Sequence, residues 1–368
     1  MVIRLVGKLS IGSDKKLIIL NDQPARGGAG RYASQLYEAS EHYSSLISSV
    51  WMAKGKKIEY LGYRFEPKAN YILPVFDNFQ AYLSMLFPEV FRRFYYNFIK
   101  NAKKKGLPIH YSSQLVPPIQ FDDRDIVTIL DIHALEEFPK YPFNYYRTKS
   151  YLKAHNILTI SHSENEKIAS LSTNSDPVVI HPYVSDLFHP INKSVAKKLL
   201  NLPDEKKIVL SISSAQSRKN VKTILEVLDK LGDQFILLRV GARLNSETNF
   251  ENVDDIALNA IYNAADVLLF PTLSEGFGYP LAEAMKCGLP IVSSDIPIVR
   301  EVTEGAAVLT DPLSVKQLAT SIKELVDNPT KVIEREIKRS SYFTLERFKL
   351  ELSDYYKKIG VLDSLKQN

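Results

Sequence analysis

Short β-branched and aliphatic runs alternate with longer amphipathic stretches along almost the whole chain, a pattern that predicts parallel strands layered with helices. In the first half the predicted strands are Lys16–Leu20, Lys57–Leu61, Asn70–Val75, Pro108–Tyr111, Asp125–Leu130, Ile157–Ser161 and Pro177–His181. Between the first two, Arg31–Lys54 reads as one long helix. A proline-bounded break at Pro182–Pro190 follows, and the alternation then restarts. Strands are expected at Lys207–Ser213, Gln234–Val240, Asp266–Pro271, Leu289–Ser293 and Ala306–Leu309. Helices are expected over roughly Asn220–Leu231, Leu258–Ala265, Pro280–Cys287 and Ser314–Val326. The fold class is therefore α/β, with two Rossmann-like doubly wound domains over 1–183 and 184–340 and a closing segment over 341–368.

Composition narrows the function classes. A length of 368 residues suits about two domains, and 45% hydrophobic with 24% charged residues is ordinary for a soluble globular protein. Forty-seven basic against 42 acidic side chains leave +5, too mild a charge to argue for nucleic acid. Cys287 is the only cysteine, which excludes an internal disulfide and a thiolate metal cluster. The seven histidines show no metal-ligand spacing, and no Asp-x-Asp cation motif stands at a strand end, so no metal or other cofactor is expected. Neither a membrane-spanning run nor a secretory leader is visible, and a cytoplasmic location is the expectation.

The densest chemistry lies in Ser274-Glu-Gly-Phe-Gly-Tyr-Pro-Leu-Ala-Glu-Ala284. Glu275 and Glu283 stand eight positions apart around a turn made by Gly276 and Gly278. Pro280 suits a first helical residue, where its missing N–H removes nothing. Helix-start amides beside such a turn form an anion site with a positive dipole end, and the carboxylates can accept from hydroxyls. Phosphate donors and hydroxyl acceptors would then meet in one place, as a sugar nucleotide requires.

The longer phrase Leu268-Leu-Phe-Pro-Thr-x-Ser-Glu-Gly-Phe-Gly-Tyr-Pro-Leu-Ala-Glu-Ala-Met-x-Cys-Gly-x-Pro-Ile-Val292 resembles the E-x7-E signature of family 4 glycosyltransferases, enzymes of the GT-B fold. The resemblance implies two domains facing across a cleft, transfer with retained anomeric configuration, and a last helix folded back on the first domain. It also implies that Glu275 meets hydroxyls of the donor sugar and Glu283 holds the ribose, with Phe277, Tyr279 and Leu281 around them. Ser213-Ser-Ala-Gln-Ser-Arg-Lys-Asn220 resembles the family loop whose cations hold the donor diphosphate. Arg218 could fork to two phosphate oxygens, Lys219 could add a point charge, and Ser214 lies beside them. Cations there favour the departing diphosphate over the ground state, which is what lowers a barrier.

Three segments admit more than one reading. Gly27-Gly-Ala-Gly-Arg-Tyr-Ala33 resembles the family's opening glycine loop, which assigns Gly28, Gly30 and Arg31 to donor binding. The same glycines mimic a dinucleotide fingerprint, but Asp22–Gly27 intervene after the strand and no acidic residue stands about twenty positions on. Asp131 and His133 follow the strand Asp125–Leu130, near where family members carry a histidine beside the reacting carbon. Here Leu130 occupies the matching position, and Asp131 and His133 would share a face only if the strand continued. Phe87–Lys105 combines Phe91, Phe94, Tyr95 and Phe98 with basic residues, which fits either a helix on anionic lipid or one facing the core. The partners implied are a UDP- or GDP-type donor sugar and a glycan, lipid-linked or protein-linked acceptor, without nucleic acid. A non-catalytic nucleotide-sugar binder and an NAD-dependent oxidoreductase are the rival functions.

Overall fold

The computed structural model describes residues 16–21, 28–42, 44–51, 71–75, 99–100, 102–114, 121–136, 142–241, 248–251 and 253–362. They form two compact units. The described residues up to Pro182, joined by those from Phe348 onward, make the first, and Tyr183–Arg347 make the second.

In the first unit seven strands run in the order β3-β2-β1-β4-β5-β6-β7. They are β1 (Leu17–Asn21), β2 (Ser44–Trp51), β3 (Tyr71–Val75), β4 (Ile109–Tyr111), β5 (Ile126–Ile129), β6 (Asn156–Thr159) and β7 (Val178–Val179). Every pairing is parallel. Strand β1 is buried along its whole length, as expected of a central strand covered by helices on both faces. Its neighbours β2 and β4 diverge in sequence direction, so the strand order reverses between β1 and β4. Open sheets of this kind bind ligands at the carboxyl ends beside such a reversal.

One sequence expectation fails here. The helix read over Arg31–Lys54 is Gly28–Ser40, and β2 begins at Ser44. The Ser40 hydroxyl turns back on Leu36 O (2.6 Å) and meets Ser44 Oγ (2.8 Å), closing the helix. The following serines and aliphatics then pair along β1, from Leu17 with Ser44 to Asn21 with Ser48. Sheet pairing overrides the helical period. The run Lys57–Leu61 and residues 87–98 of the aromatic segment lie outside the described residues. At that segment's end Ile99 and Ala102 are buried, and Lys103 pairs with the fully buried Asp125 (2.6 Å), so this lysine stabilises the core edge.

In the second unit six parallel strands follow the order β10-β9-β8-β11-β12-β13. They are β8 (Lys207–Ser213), β9 (Phe235–Gly241), β10 (Thr248–Phe250), β11 (Val267–Phe270), β12 (Ile291–Ser294) and β13 (Val308–Thr310). The reversal lies between β8 and β11. Helix Val221–Leu231 packs Ile224, Val227 and Leu231 on this sheet, and helix Val315–Asp327 adds Leu318, Ile322 and Leu325. Strand β10 and helices Lys193–Leu199, Pro297–Thr303 and Thr330–Ser340 were absent from the sequence reading. Strand β10 and the helices Lys193–Leu199 and Pro297–Thr303 are short, while Thr330–Ser340 is amphipathic but mostly polar and charged, with few apolar positions. Cys287 is buried with its thiol on Asn259 Oδ1 (3.2 Å), and burial pushes its titration well up.

Helix Leu345–Lys358 belongs to the first unit from Phe348 onward. Phe348 meets Tyr32 edge-on at 6.2 Å. The Tyr356 hydroxyl and His110 Nδ1 are 2.6 Å apart, and His110 Nε2 lies 2.8 Å from Thr128 Oγ1. Burial pushes His110 down to about 3, so the imidazole is neutral in the fold. No helix among the described residues is long and apolar enough to cross a membrane.

Two buried groups give stability opposite slopes with pH. His110 ordinarily titrates near 6.5 and in the fold near 3. Between those values the unfolded chain takes up a proton that the folded chain refuses, so stability falls on acidification by up to about 1.4 kcal/mol per pH unit. Urea unfolding across that window should show a smaller slope in His110→Asn; an unchanged slope would refute the assignment. Glu336 behaves the other way. It accepts Ile291 N–H through Oε1 (3.0 Å), and burial pushes it up to about 9 from an ordinary 4.5. There the folded chain keeps a proton the unfolded chain has lost, so stability falls as pH rises. Glu336→Gln should melt several degrees above wild type at mildly alkaline pH and alike in acid. Equal melting at both pH values would rule the buried acid out.

Candidate functional site

The second unit's site is built where its strand order reverses. The chain leaves β8 at Ser213, crosses Ser214, and enters the short 3-10 turn Ser217–Lys219. It leaves β11 at Phe270 and runs through Pro271–Ser274 to Glu275. Because β8 and β11 are hydrogen-bonded neighbours, the two loops emerge side by side. Backbone and side chains stitch them together. Arg218 O accepts from Leu273 N–H (2.7 Å) and from the Thr272 hydroxyl (3.2 Å). Asn220, in the left-handed region at φ 54°, donates to Pro271 O (3.1 Å) and Pro312 O (2.8 Å). Asparagine tolerates that backbone better than most residues, which explains its place between turn and helix.

Arg218, Lys219 and Glu275 come together in this stitched pair of loops. Glu275 is only 8% exposed. Its Oε1 accepts from Lys219 Nζ and from Thr272 Oγ1 (3.0 Å), and its Oε2 lies 3.4 Å from Arg218 Nη1. Arg218 Nη1 also donates to Ser274 O (2.9 Å). Two cations on one carboxylate leave a net positive charge at the carboxyl ends of the strands. A low-exposure setting strengthens its attraction for an anion.

Close packing behind the loops fixes them. Gly241 ends β9 at φ +131°, and a Cβ there would sit 2.1 Å from Ser213 O. Only glycine fits so near the neighbouring strand. Arg239, fully buried one strand over, donates to the same Ser213 O (3.3 Å). Sequence reading missed both residues, because they act on a backbone oxygen of the neighbouring strand, and it gave no role to Thr272 or Asn220 within their motifs.

The glycine turn and its helix differ in detail from the expectation. Gly278 is the N-cap, left-handed at φ 90°, and the helix runs Tyr279–Cys287 with Pro280 second. Pro280 has no N–H, and Leu281 N–H donates to Gly278 O (2.9 Å), so the amides at this helix start are not all available to an anion. Phe277 is 2% exposed and packs between Tyr279 and Phe343. Gly276 precedes it in the turn. Glu283 is buried at 2%, and its Oε2 accepts the Tyr262 hydroxyl at 2.6 Å. Tyr262 lies on helix Asp255–Ala264 and had no sequence signal beyond that helix.

In the first unit the helix starts at Gly28, so Gly28 and Gly30 lie in its first turn and not in a preceding loop, while Arg31 is helical as expected. The strand before Asp131 also ends early. β5 stops at Ile129, and His133 opens the helical turn His133–Glu136, so Asp131 and His133 do not alternate along one strand. Gln114 instead binds the segment from β4, accepting Leu130 N–H (3.0 Å) and donating to Asp131 O (2.8 Å). Glu164 accepts Ile132 N–H (3.1 Å), and burial raises its titration above the ordinary carboxylate range. Asp131 Oδ1 accepts His133 N–H (3.3 Å), while His133 Nδ1 lies 3.1 Å from Glu136 Oε2. Leu130 is buried.

Comparison with known proteins agrees with this architecture. Residues 192–341 match the family of glycosyl transferases group 1, a stretch that contains Arg218, Lys219, Glu275 and Glu283. The chain is 22% identical over 204 residues to the O-antigen chain mannosyltransferase RfbU of Salmonella typhimurium, covering 51% of this chain and 55% of that one. It is 25% identical over 209 residues to the D-inositol 3-phosphate glycosyltransferase of Mycolicibacterium smegmatis, covering 50% and 48%. The chain thus spans about half the length of the curated relatives it matches. Among solved structures, sucrose-phosphate synthase from Thermosynechococcus elongatus superposes with a TM-score of 0.73 at 20% identity, over 94% of this chain and 99% of that one. Anabaena HepE in complex with UDP-glucose gives 0.72 at 15%, over 93% and 99%. The fold is therefore GT-B, two Rossmann-like α/β units.

Proposed function

We propose that this chain is a glycosyltransferase that moves a hexose from a UDP- or GDP-linked donor to an acceptor hydroxyl, retaining the anomeric configuration. The observation that carries the reading is the Arg218–Lys219–Glu275 cluster at the reversal of the second sheet. Breaking the sugar–phosphate bond leaves charge on the diphosphate, and Arg218 and Lys219 stand ready to receive it. Ser214 and the Gly276–Gly278 turn line the same two loops, and Glu275 offers its carboxylate to sugar hydroxyls. Glu283, with Tyr262 fixing one oxygen, is the acceptor we assign to the ribose, beside Tyr279 and Leu281. Gly28, Gly30 and Arg31 remain assigned to the donor from the first unit. The solved relative HepE was crystallised with UDP-glucose, which supports this donor class.

In the step itself the acceptor oxygen bonds to the anomeric carbon as that carbon's bond to the donor phosphate breaks. The acceptor proton passes to the departing phosphate oxygen on the same face. No covalent carboxylate intermediate enters, and the protein's own cations neutralise the diphosphate without a metal. Asp131 and His133 line the acceptor side in this proposal, with a glycan, lipid-linked or protein-linked hydroxyl as acceptor. Mannosyl transfer into a polysaccharide is the reading that the RfbU likeness supports. A nucleotide-sugar binder without activity is the second reading, favoured by Leu130 where a histidine is expected.

A thermal-shift screen of UDP- and GDP-hexoses should raise the melting temperature with one of them by mass action. Nucleotide release from that donor should persist in EDTA. Arg218→Ala and Lys219→Ala should each lower it by about 10²-fold or more. Loss of release in EDTA would end the metal-free mechanism, and wild-type rates in both variants would end the donor assignment. Asp131→Ala and His133→Ala should bind donor normally and transfer poorly; full transfer in both would remove them from the acceptor side.

A further inference from the structure

Phe277 belongs to the glycine turn, yet at 2% exposure its ring faces protein. It meets Phe343 edge-on, with centroids 5.5 Å apart and planes at 78°. Phe343 has no exposed surface and lies on the segment by which the chain leaves the second unit. Phe343 O accepts Val184 N–H (3.0 Å), and Val184 is the second residue of that unit. Val184 O in turn accepts from Lys286 Nζ (2.8 Å), which also binds Asp186 Oδ1 (2.6 Å). Lys286 stands in the last turn of Tyr279–Cys287, the helix that the glycine turn begins. The contacts close a ring: turn, Phe343, Val184, Lys286, helix, and back to the turn.

We infer that Phe343 and Lys286 are positioning residues for the donor loop, and that ligand at the loop is linked to the order of the exit segment Tyr342–Arg347. The inference rests on the donor reading of the glycine turn. In a close-packed interior one ring of an edge-to-face pair cannot turn without its partner. Left-handed Gly278, with Leu281 Cδ1 3.1 Å from where its Cβ would stand, leaves the turn little other freedom. A donor that fixes the turn therefore fixes Phe277, then Phe343, then the backbone that Val184 grips. By linkage the effect is reciprocal: loosening the exit segment weakens the ligand by the same factor.

The probe is whichever of UDP and GDP the wild-type chain binds more tightly. Hydrogen exchange in peptides covering Tyr342–Arg347 should slow about threefold or more when it is added, and that protection should be lost in Phe277→Leu. Phe343→Leu should weaken its binding about fivefold, the scale of an aromatic pair. The double variant should bind no worse than the weaker single one, since both break one contact. Lys286→Gln, which leaves the rings intact and is the safeguard should a ring variant fold poorly, should speed exchange in the same peptide. Nucleotide binding without any change of exchange there, or a Lys286→Gln chain that exchanges and binds like wild type, would overturn the inference while leaving the donor reading intact. A wild-type chain that binds neither nucleotide would overturn both.

Discussion

A single carboxylate shared by two cations organises the loops at the strand carboxyl ends of the second unit. Glu275 holds Lys219 and Arg218 at the point where strand order reverses, and Thr272 fixes the oxygen that Lys219 also takes. A lone buried cation pair would repel and push its loop outward. With Glu275 between them, the loops after β8 and β11 can lie against each other, and their backbones then hydrogen-bond directly. Left-handed Asn220 belongs to the same approach, holding Pro271 O, while Gly241 lets β9 lie close against Ser213 behind it. The net charge left over is positive, which suits a diphosphate better than any neutral ligand.

The first unit solves a different problem. Its last helix arrives from the far end of the sequence and must be fastened to a sheet built from early strands. Phe348 against Tyr32 supplies apolar contact, and His110 between Tyr356 and Thr128 supplies direction. A buried imidazole with both nitrogens paired tolerates no reorientation without stranding a polar atom. Gln114 and Glu164, both distant in sequence, bind the backbone of Leu130–Ile132 and so hold the segment that carries Asp131 and His133. The acceptor-side candidates are therefore held by buried polar partners and not by a continuing strand.

Much of this was legible in the chain itself. Uninterrupted apolar runs such as Leu17–Leu20 and Val267–Phe270 announce buried parallel strands whatever surrounds them, and the Glu275–Glu283 phrase carries its turn, proline and helix start within one short stretch. The turn and helix start are local there, since Gly278, Pro280 and Leu281 set them within a few residues. Tertiary structure decided what depends on distant partners. Serines 44, 45 and 48 have no strand signal until β1 pairs with them, so Arg31–Lys54 reads as one helix. Tyr262 meets Glu283 from another helix, and Phe343 reaches Phe277 across 66 positions of sequence. Pairing and packing over such separations act through space, and no spacing along the chain records them.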